Sequence, residues 1–124
     1  MVNLMMLLIV DDNPAVRRLI GKVVADLVDD IRECADGAEA LAAYRQSQPD
    51  LVLMDIEMKR MDGLAATRQI IAAYPEARIV IVSQYGDDQT REAARQAGAC
   101  GYVMKENLME VRRLLQASLR NPNN

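Results

Sequence analysis

The chain has 124 residues, of which 51% are hydrophobic, so it can form one domain around its own core without disulfides or a structural metal. Its formal net charge of −3 argues against a nucleic-acid-binding surface, which needs a basic patch. No segment is long and apolar enough to span a membrane. The two cysteines, Cys34 and Cys100, lie in apolar strand-like segments, where reduced thiols are typical core residues, so we expect a cytoplasmic protein.

Apolar runs and helical patterns alternate along the chain. The run over residues 6–10 predicts a first strand, which ends at Asp11 and Asp12. Asn13 and Pro14 are typical of a helix start, and the apolar residues that follow recur at helical spacing. These residues are Val16, Leu19, Ile20, Val23, Val24 and Leu27. The first helix is therefore predicted to bury one face against the sheet.

The second and third strand–helix units repeat this pattern. Residues 31–35 predict a strand, and the helical pattern that begins near residue 38 ends before Pro49. Residues 51–55 are four apolar residues followed by Asp55, as is typical of a strand buried on both faces of a parallel sheet. The third helix stops at Pro75, and its apolar face consists of Leu64, Thr67, Ile70, Ile71 and Tyr74.

The last two units complete the alternation. Residues 79–83 predict a strand that ends in Ser83, and residues 100–104 predict a strand that is followed by Lys105. The helix predicted over residues 87–97 offers the core only small side chains, so we expect it to be weakly anchored and able to move. Those side chains are Ala93, Ala94 and Ala97. The final helix carries the apolar stripe Leu108, Val111, Leu115 and Leu119.

Five alternating units predict an α/β fold, a single doubly wound (βα)5 domain with a five-stranded parallel sheet. We assign residues 1–120 to this domain and the polar residues 121–124 to a tail or the start of a linker. Ligands of such sheets bind outside the carboxyl ends of the strands. The polar residues that follow the strands are therefore predicted to meet at one edge.

The polar groups at this edge are Asp11, Asp12, Asp55, Ser83 and Lys105. Clustered carboxylates repel one another, and a hard divalent cation such as Mg²⁺ relieves that repulsion. An aspartate beside Mg²⁺ and a lysine can attack phosphorus to form an acyl phosphate, because both cations screen the charge of the phosphoryl oxygens. Each residue alone would be explained as a helix cap, a turn residue or a solvated charge, but the five together indicate a functional site.

These residues resemble the receiver domains of two-component response regulators. The resemblance covers essentially the whole chain and includes the segments Met61-Asp62-Gly63 and Gly101-Tyr102-Val103-Met104-Lys105. It implies the flavodoxin-like strand order 2-1-3-4-5 and a phosphoryl group carried on Asp55. The resemblance also implies that the donor is the phosphohistidine of a sensor histidine kinase or phosphotransfer protein. Because this chain contains no histidine, that donor must be another protein.

The resemblance also implies roles at the metal site. Asp12 and Asp55 would bind Mg²⁺ directly, together with the backbone carbonyl of Glu57. Asp11 would act mainly through water, and Lys105 would pair with the phosphoryl group.

Further implied roles concern the switch and the lifetime of the signal. Tyr102 resembles the aromatic residue that swings inward when Ser83 is drawn to the phosphate. Output, or homodimerisation, would use the face of the fourth helix, fifth strand and fifth helix. Glu57 and Tyr85 would line the path of the water that hydrolyses the acyl phosphate, and the bulk of Tyr85 would hinder that water.

Two positions depart from many receivers, which have proline where this chain has Lys59 and Glu106. A cis peptide without proline costs about 2.5 to 4 kcal/mol, so we expect the Lys105–Glu106 peptide to be trans. An acidic residue after the lysine, with Gly-Tyr ahead of it, resembles the NarL/FixJ-type regulators, whose receivers precede a helix-turn-helix DNA-binding domain. The implied function is phosphorylation-dependent control of transcription through a separate output domain.

The sequence leaves other functions open. A stand-alone receiver has the same sequence features, and a degenerate receiver would serve only as a protein-interaction module. A haloacid-dehalogenase-type phosphatase needs a second aspartate two residues beyond its nucleophile, where this chain has Glu57. A flavodoxin-like FMN carrier needs a hydroxyl-rich phosphate loop, where this chain has Asp11 and Asp12.

Overall fold

The computed structural model describes residues 5–120, with side chains as far as residue 117, and alternates five strands with five helices. The strands are β1 (Met6–Val10), β2 (Asp30–Cys34), β3 (Leu51–Asp55), β4 (Ile79–Ser83) and β5 (Gly101–Met104). The helices are α1 (Pro14–Val24), α2 (Ala40–Ser47), α3 (Gly63–Ala73), α4 (Asp88–Ala97) and α5 (Met109–Arg120). Short 3-10 helices over Gly37–Glu39 and Lys105–Asn107 precede α2 and α5.

The sheet is parallel throughout, with strand order β2-β1-β3-β4-β5, which confirms the predicted fold. Every residue of β3 and β4 is buried, because helices cover both faces of the sheet. On one face, residues such as Leu53 and Val82 pack with Ile20 of α1 and Leu115 of α5. On the other face, alternate strand residues pack with Tyr44, Ile70 and Ala94, which lie on α2, α3 and α4.

The strand register brings the predicted polar residues to one edge. Val10 pairs with Met54, so Asp11 and Asp55 follow adjacent positions of neighbouring strands. Ser83 pairs with Met104, so Lys105 extends just beyond Ser83. Because the five strands run in the same direction, their carboxyl ends form a single rim.

Three helices also begin at this rim, and each is capped by a side-chain oxygen. Asn13 accepts backbone N–H groups at the start of α1, as predicted. Asp62 does so for α3 and Asp87 for α4. A cap of this kind is worth about 0.5 to 2 kcal/mol. Each of these three loops therefore runs from the end of a strand to a capped helix start.

Several predicted boundaries and burials are wrong. β2 begins and ends one residue earlier than predicted, at Asp30 and Cys34, and a 3-10 turn rather than α-helix follows it. Leu19 is 51% exposed because its neighbour Ile20 occupies the position on α1 that faces the sheet. Cys100 is exposed and precedes β5, beside the groove between α4 and β5, so it is not a core residue.

The fourth helix has the small buried face that the sequence indicates. Only Ala94 and Ala97 of α4 are buried, and Ala93 is half-buried. Gly98 ends the helix with φ of 108°, a left-handed conformation that favours glycine. The mobility of α4 stays a prediction.

Two further expectations concern a peptide bond and the end of the chain. No cis peptide bond occurs among the described residues, which confirms the trans Lys105–Glu106 bond. The side chain of Leu119 and the tail over residues 121–124 lie outside the described part of the chain.

Candidate active site

Three carboxylates meet at the rim of the sheet. Asp11 and Asp55 are 2% and 3% exposed, and Asp12 is partly exposed. Each of the three offers an oxygen, and these oxygens all lie within 4.8 Å of one another. Three carboxylate oxygens in such a small volume are the hard ligand set that a divalent cation such as Mg²⁺ prefers. The residues present therefore fit a metal site.

Lys105 places its ammonium group among these carboxylates. Its Nζ lies 3.1 Å from Asp55 Oδ1 and 3.4 Å from Asp11 Oδ2. The side chain reaches across from the end of β5, two strands away from β3, and only 27% of it is exposed. Lys105 therefore neutralises part of the negative charge at the site.

The electrostatics of the site depend on burial and on mutual repulsion. Burial, and then the charge of Asp11, raise the pKa of the Asp55 carboxyl to about 6. Burial lowers the pKa of Lys105, but the charges of Asp55 and Asp11 outweigh it, and the pKa of Lys105 is raised. The Asp55 carboxylate is thus an incompletely stabilised anion, which suits a group that binds a cation or attacks an electrophile.

Ser83 lies at the end of β4 and is 1% exposed. Its Oγ accepts the backbone N–H of Tyr85 at 3.0 Å. A serine hydroxyl that accepts one hydrogen bond can also donate its proton, here to an acceptor at the rim. The register places Ser83 one residue beyond Val82, which pairs with Asp55.

Glu57 connects the two loops that flank the rim. Its carboxylate accepts hydrogen bonds from the Tyr85 hydroxyl at 3.4 Å and from Gln84 Nε2 at 3.1 Å. The structure therefore brings together Glu57 and Tyr85, the two residues expected to control water access. Gln84 was not expected, although its position between Ser83 and Tyr85 could have indicated it.

Tyr102 links β5 to the loop that precedes α4. Its hydroxyl donates a hydrogen bond to the backbone oxygen of Tyr85, and the Arg91 guanidinium lies 4.6 Å from the centre of its ring. Arg91 also donates from Nε to the backbone oxygen of Gly86. The aromatic ring is thus in contact with both the rim loop and α4.

Comparison with known proteins identifies the family. Residues 7–118 match the family model described as the response regulator receiver domain. This chain is a response regulator receiver domain. A solved structure of a two-component response regulator of the LuxR family from Aurantimonas sp. SI85-9A1 is 31% identical, with a TM-score of 0.86, and the match covers 95% of this chain and 86% of that one.

Curated relatives of the receiver differ in length. An uncharacterized transcriptional regulatory protein, YhcZ of Bacillus subtilis, is 36% identical over 82% of this chain, but the chain spans only 49% of that protein. The chemotaxis protein CheY of Halobacterium salinarum is 35% identical over 79% of this chain, and 82% of that protein is covered. The chain spans about half of the length of the first relative.

Two residues support the receiver's acidic site: Gly63, which the sequence placed in the Met61-Asp62-Gly63 segment without a role at the site, and Arg17, which was not predicted. Arg17 donates from Nη1 to the backbone oxygen of Asp11 at 2.6 Å. Gly63 packs so closely that an added Cβ would lie 1.9 Å from the backbone oxygen of Asp55. The sequence offered a signal for Gly63 in its Asp-Gly pair, but none for Arg17, which looks like any charged residue of a helix.

No helix within the described residues of the receiver is long and apolar enough to cross a membrane.

Proposed function

We propose that this receiver accepts a phosphoryl group on Asp55 from the phosphohistidine of a sensor histidine kinase or phosphotransfer protein, in the cytoplasm. The observation that carries the proposal is the buried Asp55 carboxylate, with its raised pKa, held 3.1 Å from Lys105 in a cluster of three aspartates. If Lys105 served only in a structural ion pair, one carboxylate partner would be enough, whereas this site brings three carboxylates together.

The transfer is a substitution at phosphorus. An oxygen of Asp55 forms a bond to phosphorus while the N–P bond of the donor breaks, and the bonding pair leaves with the imidazole nitrogen. Lys105 stabilises the charge that the transferred oxygens carry. The chain itself has no histidine, so the donor is a separate molecule or domain.

Mg²⁺ would be held by the Asp12 and Asp55 carboxylates and the backbone carbonyl of Glu57, with Asp11 acting through water. The ion would screen the phosphoryl oxygens from the carboxylates. The support for this assignment is the oxygen-only ligand set at the rim.

The response to phosphorylation would pass through Ser83 and Tyr102. Ser83 can donate its hydroxyl proton to a phosphoryl oxygen, and its Oγ already accepts the N–H of Tyr85. Movement of Ser83 would therefore move the loop whose carbonyl holds Tyr102, and with it Arg91 and α4. The surface of α4, β5 and α5 is the output face in this proposal, and it is the candidate for homodimerisation.

The output we propose is control of transcription by a domain outside this chain. The support is that relatives such as YhcZ carry the name of transcriptional regulators and are about twice as long as the matched region. A stand-alone receiver is the alternative, and the coverage of the Halobacterium CheY favours it. The intact set of five rim residues argues against a degenerate receiver that only binds proteins. Glu57 occupies the position where a haloacid-dehalogenase-type phosphatase needs a second aspartate, which argues against that class of enzyme.

The mass of the intact protein after incubation with acetyl phosphate and Mg²⁺ tests the proposal. Wild type should gain one phosphoryl group, and Asp55→Asn should gain none, because an amide is not a nucleophile for phosphorus. Asp88→Asn, which removes an exposed carboxylate from α4, is the matched control and should behave as wild type. A normal mass gain in Asp55→Asn would show that another residue is the acceptor.

A further inference from the structure

Arg17 of α1 makes contacts that set it apart from the other charges of this helix. Its Nη1 donates to the backbone oxygen of Asp11 at 2.6 Å, and its Nε donates to Glu33 Oε1 on β2 at 2.8 Å. Only 17% of the side chain is exposed. Its neighbour Arg18, by contrast, is exposed. One guanidinium thus connects the acidic loop to the edge strand of the sheet.

The loop that Arg17 contacts is held from several directions. The N–H of Asp11 donates to the backbone oxygen of Cys34 at 3.1 Å, and Asp11 Oδ1 accepts the N–H of Asn13 at 2.9 Å. Asp11 Oδ2 lies 3.4 Å from Lys105 Nζ, and the hydrogen bond from Arg17 fixes the Asp11 carbonyl. Asp12 follows directly, so the plane of the Asp11–Asp12 peptide sets where the Asp12 side chain begins.

We propose that Arg17 is a positioning residue that holds the Asp11–Asp12 peptide in the orientation a divalent cation requires. This inference rests on the proposed function, in which both aspartates serve the metal site. Arg17 would act on a bound metal only through the loop, because its hydrogen bonds go to the Asp11 carbonyl and to Glu33. Groups that orient metal ligands in this way commonly change metal affinity by about 10- to 100-fold when they are removed.

The charge of Arg17 acts in the opposite direction to its hydrogen bond. A guanidinium near the carboxylates repels a cation, so removal of charge alone would tighten metal binding. Loss of the hydrogen bond frees the peptide and would weaken metal binding. The variant Arg17→Lys separates the two effects. It keeps the positive charge, but a single ammonium group cannot replace the two guanidinium nitrogens that donate to the Asp11 carbonyl and to Glu33.

Titration calorimetry with Mg²⁺ on the full chain tests the proposal. Arg17→Lys and Arg17→Met should both bind Mg²⁺ roughly tenfold or more weakly than wild type. The matched controls Arg18→Lys and Arg18→Met should bind within twofold of wild type. Glu33→Gln leaves Arg17 with one anchor less, and it should weaken Mg²⁺ binding in the same direction by a smaller factor. Circular dichroism in EDTA identifies any variant that fails to fold.

The other outcomes overturn specific claims. Wild-type affinity in Arg17→Lys with tighter binding in Arg17→Met would show that only the charge of Arg17 matters, and wild-type affinity in both variants would show that Arg17 does not position the loop. A lower melting temperature in EDTA with unchanged Mg²⁺ affinity in Glu33→Gln and Arg17→Lys would show that the contacts merely join α1 to β2. Failure of wild type to bind Mg²⁺ would overturn the proposed function itself, and the inference with it.

Discussion

Asp55 combines burial with negative charge, and this combination has a cost in the metal-free protein. Its carboxyl is 3% exposed, and burial with the nearby charge of Asp11 raises its pKa to about 6. Lys105 compensates only in part, since the pKa of Asp55 remains above its ordinary value. Residues that bind or react are often held in such unfavourable surroundings, and stability is lost as a result.

We expect Asp55→Asn to stabilise the metal-free protein, and to do so more at pH 7.5 than at pH 5. Folding raises the pKa of this carboxyl from 3.8 to about 6. Its contribution to the free energy of unfolding is therefore fully present below pH 3.8 and is lost as the pH rises through about 6. Asparagine does not titrate. The gain in the free energy of unfolding should approach about 3 kcal/mol at pH 7.5. Urea denaturation in EDTA measures it, and an equal gain at both pH values would show that ionisation of Asp55 is not the cause.

Tyr85 is predicted to lengthen the life of the acyl phosphate. It is 46% exposed, and its hydroxyl donates to Glu57 across the rim. Tyr85→Ala should shorten the phosphoryl lifetime by several fold while Mg²⁺ affinity is unchanged, because a smaller side chain admits the attacking water. Tyr85→Phe keeps the ring and should retain most of the lifetime. The decay of the phosphorylated mass with time measures both, and an unchanged or longer lifetime in Tyr85→Ala would show that the ring does not hinder water.

At the scale of elements, the loop between β3 and α3 differs from the helix α4 in how it is held to the rest of the domain. The loop folds back on the end of β3, where the N–H of Gly63 donates to the backbone oxygen of Ile56 at 2.9 Å. The helix buries only Ala94 and Ala97, so little apolar area holds it. The loop is therefore tied back to the end of β3 beside Asp55, and α4 is the element that we expect to move.

Gly63→Ala tests the loop between β3 and α3. An added Cβ would lie 1.9 Å from the backbone oxygen of Asp55, so backbone must shift. The free energy of unfolding should fall by about 3 kcal/mol or more. Gly21→Ala is the control, because its Cβ would meet only Ile31 Cδ1 at 3.9 Å, and alanine should stabilise α1 by about 0.5 to 1 kcal/mol. Equal stability of the two variants in urea denaturation would contradict this view of the loop.

Amide hydrogen exchange with and without beryllofluoride and Mg²⁺ tests the movable helix. We expect the largest changes in α4, β5 and α5, because Tyr102 joins the rim loop to Arg91 of α4. The same experiment on Asp55→Asn is the control and should show no change. Changes confined to α1 would mean that another face carries the signal.

At the scale of the molecule, the sequence predicted the parallel sheet and the meeting of the polar residues at one edge, and the family resemblance supplied the strand order, but the supporting contacts were not predicted. Apolar runs such as residues 51–55 are enough to predict buried parallel strands, and the residues after them must meet at one edge. Exposure of Leu19 and Cys100 could not be predicted, because it depends on how helices cover the margins of the sheet. The contact between Arg17 and Asp11 escaped prediction because a charged helix residue gives no sign of which partner it meets.

The central claim is that Asp55 receives the phosphoryl group with the help of a divalent cation. Peptide mass spectrometry of wild type after incubation with acetyl phosphate tests it most directly. We expect one phosphoryl group on Asp55, labile to hydroxylamine as an acyl phosphate is, and absent when EDTA replaces Mg²⁺. A hydroxylamine-stable phosphoryl group on Ser83, or one on another carboxylate, would contradict it.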